Sequence, residues 1–125
     1  KIVLEKKKKE YPNNFYHCVR TLGLYSHPVD ASRYKTELIR KLQTLLVCRD
    51  AYWKIAGEEM GLGKPWEPDW MNYNEYKFVI GVLENEIIKC YNTIAQYVLA
   101  FPTEEMRDAF YENFKDLIEQ CKELL

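Results

Sequence analysis

The chain is poor in the residues that usually announce chemistry. Its 125 residues include two histidines, His17 and His27, and four cysteines, Cys18, Cys48, Cys90 and Cys121. No two cysteines form a C-x-x-C pair, and a structural zinc site takes its ligands from closely spaced pairs. No metal and no cofactor is therefore expected. Disulfides belong to secreted domains whose cores are too small to stand alone. A chain of this length buries about two-thirds of its unfolded surface, so four free thiols are expected, with Cys48 and Cys121 on apolar helix faces. No apolar run approaches the roughly 20 residues of a membrane span, and no membrane contact is expected. The opening Lys1-Ile2-Val3-Leu4-Glu5 lacks the apolar stretch of a secretory signal, and Lys1 stands where an initiator methionine would. That reads as a trimmed chain with a cytoplasmic location.

What is present is a folding composition. Apolar residues make up 47% and charged residues 30%, which excludes disordered and collagen-like classes. The charges are unevenly placed. Residues 1–64 carry 13 Lys/Arg against 7 Asp/Glu, and residues 65–125 carry 5 against 12. A basic half can pack on the acidic half of the same chain, or dock on that of a neighbour. A protein partner or a homo-oligomer joined through charge-complementary halves is therefore expected.

The pattern predicts one α+β domain over 1–125, with three helices, one of them long, packed on a small antiparallel sheet of two to three strands. Residues 1–11 read as a flexible basic arm with Lys6-Lys7-Lys8-Lys9. Residues 12–63 read as the helical part. There Asn14 is placed to cap a helix that ends before Gly23. A long second helix is expected from Ala31 to about Met60, weakest at Gly57 and stopped by Gly61 and Gly63. Residues 64–74 form a Pro/Trp linker, Lys64-Pro65-Trp66-Glu67-Pro68-Asp69-Trp70 onward, which two prolines hold extended. In residues 75–125, strands are expected at 76–83 and 94–101, joined as a meander. Ile87, Ile88 and Tyr91 offer a third short strand, and a helix through 84–96 is the alternative. Thr103 then caps a helix running to about Leu124, with Met106, Phe110, Phe114, Leu117, Cys121 and Leu124 as its apolar stripe.

Catalytic constellations fare poorly. His17 and Cys18 are adjacent, and neighbours on a helix point about 100° apart, so they do not converge as a nucleophile and base. Gly61-Leu62-Gly63-Lys64 evokes a phosphate-binding loop, but it follows a helix and precedes a proline. No catalytic residue is expected. Two binding readings remain. Trp66, Trp70, Tyr73 and Tyr76 supply aromatic surface for a macromolecular partner, or the tryptophans fold back as lids over the core. Lys6, Lys7, Lys8, Lys9, Arg33, Arg40, Lys41 and Arg49 supply a basic face for nucleic acid, against an overall pI of 6.2.

The segments KPWEPDW, EYKF and LAFPTEEMRDAFYENFKDLIE together resemble a group of small uncharacterised proteins of gut Bacteroidales and of their phages and mobile elements. The similarity covers about residues 42–125 and is most specific over Trp66–Trp70 and Leu99–Leu117. It implies a bacterial, phage or virion-associated setting and transfers no catalytic or binding residue; the long basic helix before Gly61 departs from the pattern. The combined expectation is a non-enzymatic interaction or assembly protein, with a nucleic-acid-associated accessory protein as the alternative.

Overall fold

The computed structural model describes residues 10–23, 36–92 and 95–125. Lys6–Lys9, Arg33 and the expected start of the long helix lie outside these residues. Within them the order is α1 (Phe15–Leu22), α2 (Thr36–Glu59), β1 (Lys77–Leu83), β2 (Glu86–Asn92), β3 (Leu99–Phe101) and α3 (Glu104–Cys121), which runs on into a 3₁₀ turn over Lys122–Leu124. The expected α+β class is what the chain adopts: the described residues form three helices, one of them long, and a three-stranded antiparallel sheet. No helix among the described residues is long and apolar enough to cross a membrane.

Local chemistry sets the helix ends. The Asn14 side chain accepts from the His17 N–H at 2.8 Å, and Gly23 takes the left-handed φ of 70° that a closing residue needs. The Lys54 ammonium then donates to the part-buried Thr21 carbonyl at 2.7 Å, a cation at the negative end of α1. Thr103 Oγ1 accepts from Met106 N–H at 3.1 Å, and Glu104 and Glu105 fill the first turn of α3.

Gly57 does not weaken α2. It lies inside the helix, where a Cβ would collide with the Lys64 carbonyl oxygen and sit 2.9 Å from the Pro65 Cα. The glycine lets the chain double back against its own helix, and Gly61 supplies the positive φ that turns it.

The sheet differs from the expected meander. Its order is β2-β1-β3, with β1 central. Between the strands expected at 76–83 and 94–101 the chain makes a two-residue turn at Glu84-Asn85, with φ 51° and 64°, the mirror-image turn that suits the twist of paired strands, and pairs back along β1. The third strand is therefore a full seven residues, and the helical alternative over 84–96 does not occur in 84–92. β3 is shorter than expected, because residues 95–98 leave the ladder. There Tyr97 lays its ring against Gly81, and the Val98 carbonyl accepts from Arg49.

Residues directly opposed in an antiparallel ladder share a face. Phe78 and Ile80 thus lie with Tyr91, Lys89, Phe101 and Leu99 on the face turned to the helices. Ile80, Leu99 and Phe101 join Leu45, Cys48, Tyr52, Phe110, Phe114 and Ile118 in one core cluster. Tyr52 is its hub. Phe110 meets its ring edge-on at 4.9 Å, Tyr11 stacks on it at 5.1 Å, and such pairs contribute about 0.5–1.5 kcal/mol each beyond burial. Its hydroxyl donates to the Pro12 carbonyl at 2.8 Å and accepts from the Asn113 amide at 2.9 Å. Where Asn113 reaches in, α3 breaks helical geometry at Phe114. Beyond the break Ile118, not Leu117, is fully buried.

Candidate interaction surface

The Pro/Trp segment supplies the candidate site, though not with all four expected aromatics. Trp66 is 4% exposed. Its backbone N–H donates to the Trp53 carbonyl at 2.9 Å, and its ring meets Trp53 edge-on at 5.7 Å. Trp66 is thus the lid over the core and offers no surface. The reason lies in Gly57: the close passage of Lys64 and Pro65 over α2 delivers the next residue onto Trp53.

The chain after Trp66 is tied into a loop by its own hydrogen bonds. Asp69 Oδ1 accepts from Met71 N–H and Asn72 Oδ1 from Asn74 N–H, each at 3.0 Å, two side-chain turns of the kind Asp and Asn favour. Glu75 Oε1 accepts from Asp69 N–H at 3.0 Å and closes the loop. Underneath lies Lys77, fully buried. A buried ammonium is tolerated only with partners. It donates to the Asn72 carbonyl at 2.8 Å, pairs with Glu75 at 3.7 Å and lies 5.5 Å from the Trp70 ring centroid. Lys77 therefore pins the loop to the first residue of β1, and half-buried Trp70 serves as one wall of its site.

What the loop presents outward is Met71, 82% exposed, with Tyr73 and Tyr76, 64% and 59% exposed. Tyr91 of β2 joins Tyr76 edge-on at 5.5 Å and is itself 66% exposed. Tyr73 and Tyr76 were legible in the sequence as candidates; Met71 and Tyr91 were not. Tyr91 enters because the tight turn carries β2 back along β1 and sets it opposite Phe78. Its spacing from Tyr76 gives no hint of that.

The basic set is divided. Arg40 pairs with Glu37 at 2.8 Å, and Lys41 is half-buried near Cys121. Arg49 belongs to the fold. Its guanidinium stacks on Trp53 at 4.0 Å, binds Asp50 at 2.8 Å and donates to the Val98 carbonyl at 3.1 Å. In the acidic half Lys89 of β2 pairs with Asp108 of α3, and Arg107–Glu104, Arg107–Asp108, Lys115–Glu112 and Lys122–Glu119 are pairs within α3 and its closing turn. Where α2 meets α3 the contact runs through the aromatic core.

The thiols are free. Cys18, Cys48 and Cys121 are buried and Cys90 half-buried. A hydrogen bond with Cys18, with burial behind it, pushes the Cys48 thiol well above the ordinary range, and burial does the same to Cys121. Burial likewise raises the Tyr52 phenol, opposed in part by the Asn113 hydrogen bond. These groups stay neutral at ordinary pH and serve packing. No group of three or more His, Cys, Asp or Glu among the described residues is arranged to hold a metal ion.

No protein-family model matches this chain, and no curated protein and no solved structure matches it. The reading of the surface rests on its own chemistry.

Proposed function

We propose that this chain is a non-enzymatic interaction or assembly protein of bacterial, phage or mobile-element origin, and that it binds a macromolecular partner through Met71, Tyr73, Tyr76 and Tyr91. The observation that carries the proposal is the contrast between what the loop shows and what holds it. Three exposed side chains, Met71, Tyr73 and Tyr76, sit on a backbone fixed by side-chain turns and by a buried lysine, and exposed Tyr91 of β2 stands edge-on to Tyr76. Aromatic residues and Met are enriched at protein interfaces, and a surface that is already ordered loses little entropy on binding.

The test is partner recovery from an extract of the source cells with immobilised wild-type chain, followed by affinity measurement on the species recovered. A Tyr73→Ser/Tyr76→Ser variant should bind about 30-fold more weakly, as loss of a hot spot does, with unchanged thermal unfolding. Tyr16→Ser, at an exposed tyrosine of α1, should bind normally. Full affinity in the double variant would sink the proposal.

A further inference from the structure

The two edges of the sheet are finished differently. In an antiparallel ladder closed by a two-residue turn, hydrogen-bonded and non-bonded pairs alternate outward from the turn. Leu83 and Glu86 flank the turn, so the N–H and C=O groups of Ile87, Lys89 and Tyr91 point away from β1. The same alternation points the Ala100 carbonyl outward on the other side, where Trp53 Nε1 donates to it at 2.8 Å, and the Val98 carbonyl just before β3 accepts from Arg49 at 3.1 Å. Among the described residues nothing covers the outward groups of β2, a seven-residue strand at the end of the sheet order.

A row of unpaired backbone donors and acceptors at strand spacing matches one thing, another extended backbone. We infer that the outer edge of β2 is a docking site where an extended, basic segment of a partner protein adds as a fourth strand. This rests on the proposed interaction role, because Tyr91 belongs both to the edge and to the aromatic surface, so one partner can cover both.

Charge chooses the partner. Lys89 is paired with Asp108, Arg107 with Asp108 and Glu104, and Lys115 with Glu112. Glu84 and Glu86, at the hairpin tip, are exposed and take part in no ion pair among the described residues. The chain from residue 65 onward carries 12 acidic against 5 basic residues, a field that draws in a cationic segment and repels an acidic one. A second β2 is a poor occupant, since full antiparallel overlap of residues 86–92 places Lys89 opposite itself.

The experiment is amide hydrogen exchange by NMR on the full chain, with the blocked octapeptide Thr-Val-Thr-Thr-Val-Val-Lys-Lys as probe and its Glu-Glu counterpart as charge control. Saturating Lys-Lys probe should slow exchange at Ile87, Lys89 and Tyr91 about tenfold, leave the already paired Ile88 and Cys90 unchanged, and outperform the Glu-Glu probe. Lys89→Pro removes an outward N–H that the β1 ladder does not use. It should abolish protection at Ile87 and Tyr91, while slow exchange at Ile88 and Cys90 reports that the hairpin still forms. Glu86→Lys should reverse the preference between the probes. No slowing at millimolar probe, equal response to both probes, or protection that survives Lys89→Pro would overturn the inference.

With the natural partner the two proposals separate. Binding lost in Lys89→Pro but kept in the tyrosine double variant sinks the aromatic surface and supports the edge; the opposite pattern sinks the edge. Residues 1–9 of this chain carry the same mixture of β-formers and lysines. Self-association in light scattering that vanishes on deleting them would make the occupant a second copy and overturn the assignment to a different protein.

Discussion

The two sides of this small sheet show two solutions to the same problem. On the β3 side the strand is three residues long and wholly buried, its outward Ala100 carbonyl is taken by Trp53 of α2, and the Val98 carbonyl just before it by Arg49. On the β2 side the strand is more than twice as long, half-buried to exposed over residues 86–91, and no described residue covers its outward groups. A sheet edge left bare invites unwanted pairing. The closed side avoids this with side-chain donors; the open side carries a lysine at its midpoint and carboxylates at its tip, which restrict what can pair without forbidding it. The difference teaches that the helices stabilise one edge and leave the other available.

That contrast can be broken from either side. The largest effect belongs to the closed side: Phe101→Ala removes a fully buried ring that packs on Phe110 at 4.9 Å and should cost about 3–5 kcal/mol in urea unfolding. Ile88→Ala, on the half-buried open strand, should cost about 1 kcal/mol. Next, Trp53→Phe leaves the buried Ala100 carbonyl without its indole donor, and a loss of about 1–3 kcal/mol is expected. Faster amide exchange in β3 but not in β2 would show that the cap acts on one edge.

Cys48 and Tyr52 lie under the closed side with pKa values raised above their ordinary 9.0 and 10.0. The folded chain holds these protons after the unfolded chain has lost them. Stability from this source is therefore complete below pH 9 and falls as pH rises, by about 1.4 kcal/mol per unit for each group. Cys48→Ala should flatten the first part of that fall in denaturation curves taken at increasing pH. In the native protein an alkylating reagent should reach Cys90 first, which peptide mass mapping would show. The smallest effect is Lys89→Ala. Its pair with Asp108 is 38% and 41% exposed, and unfolding should shift by less than about 0.5 kcal/mol.

Sequence reading reached the helices more surely than the sheet or the site. Asn14, Gly23, Thr103 and Gly61 mark helix ends through contacts within four residues, and each does what its position announced. Met106, Phe110, Phe114 and Cys121 kept their stripe, while Leu117 yielded to Ile118 because α3 breaks at Phe114. In the sheet, Glu84-Asn85 was legible as a connection but not as a two-residue turn, since Glu at a positive φ is an uncommon choice. In the site, Tyr73 and Tyr76 were visible as exposed aromatics, whereas Trp66 looked the same in sequence and turned inward. Lys77 gave no signal, because a lysine opening a strand ordinarily faces water.

By itself, then, the sequence determined the α+β class, the helix caps, the existence of the central strand and the buried place of Cys48 and Cys121. All of these follow from periodicity and from neighbours a turn away. The tertiary structure alone decided that β1 is central, that Trp66 is a lid, that Arg49 closes an edge and that Tyr91 stands beside Tyr76. Those outcomes depend on pairs far apart in the chain, such as Arg49 with Val98, Trp53 with Ala100 and Tyr52 with Asn113. A side chain takes such a partner only once packing has brought the two together, and no local pattern records that choice.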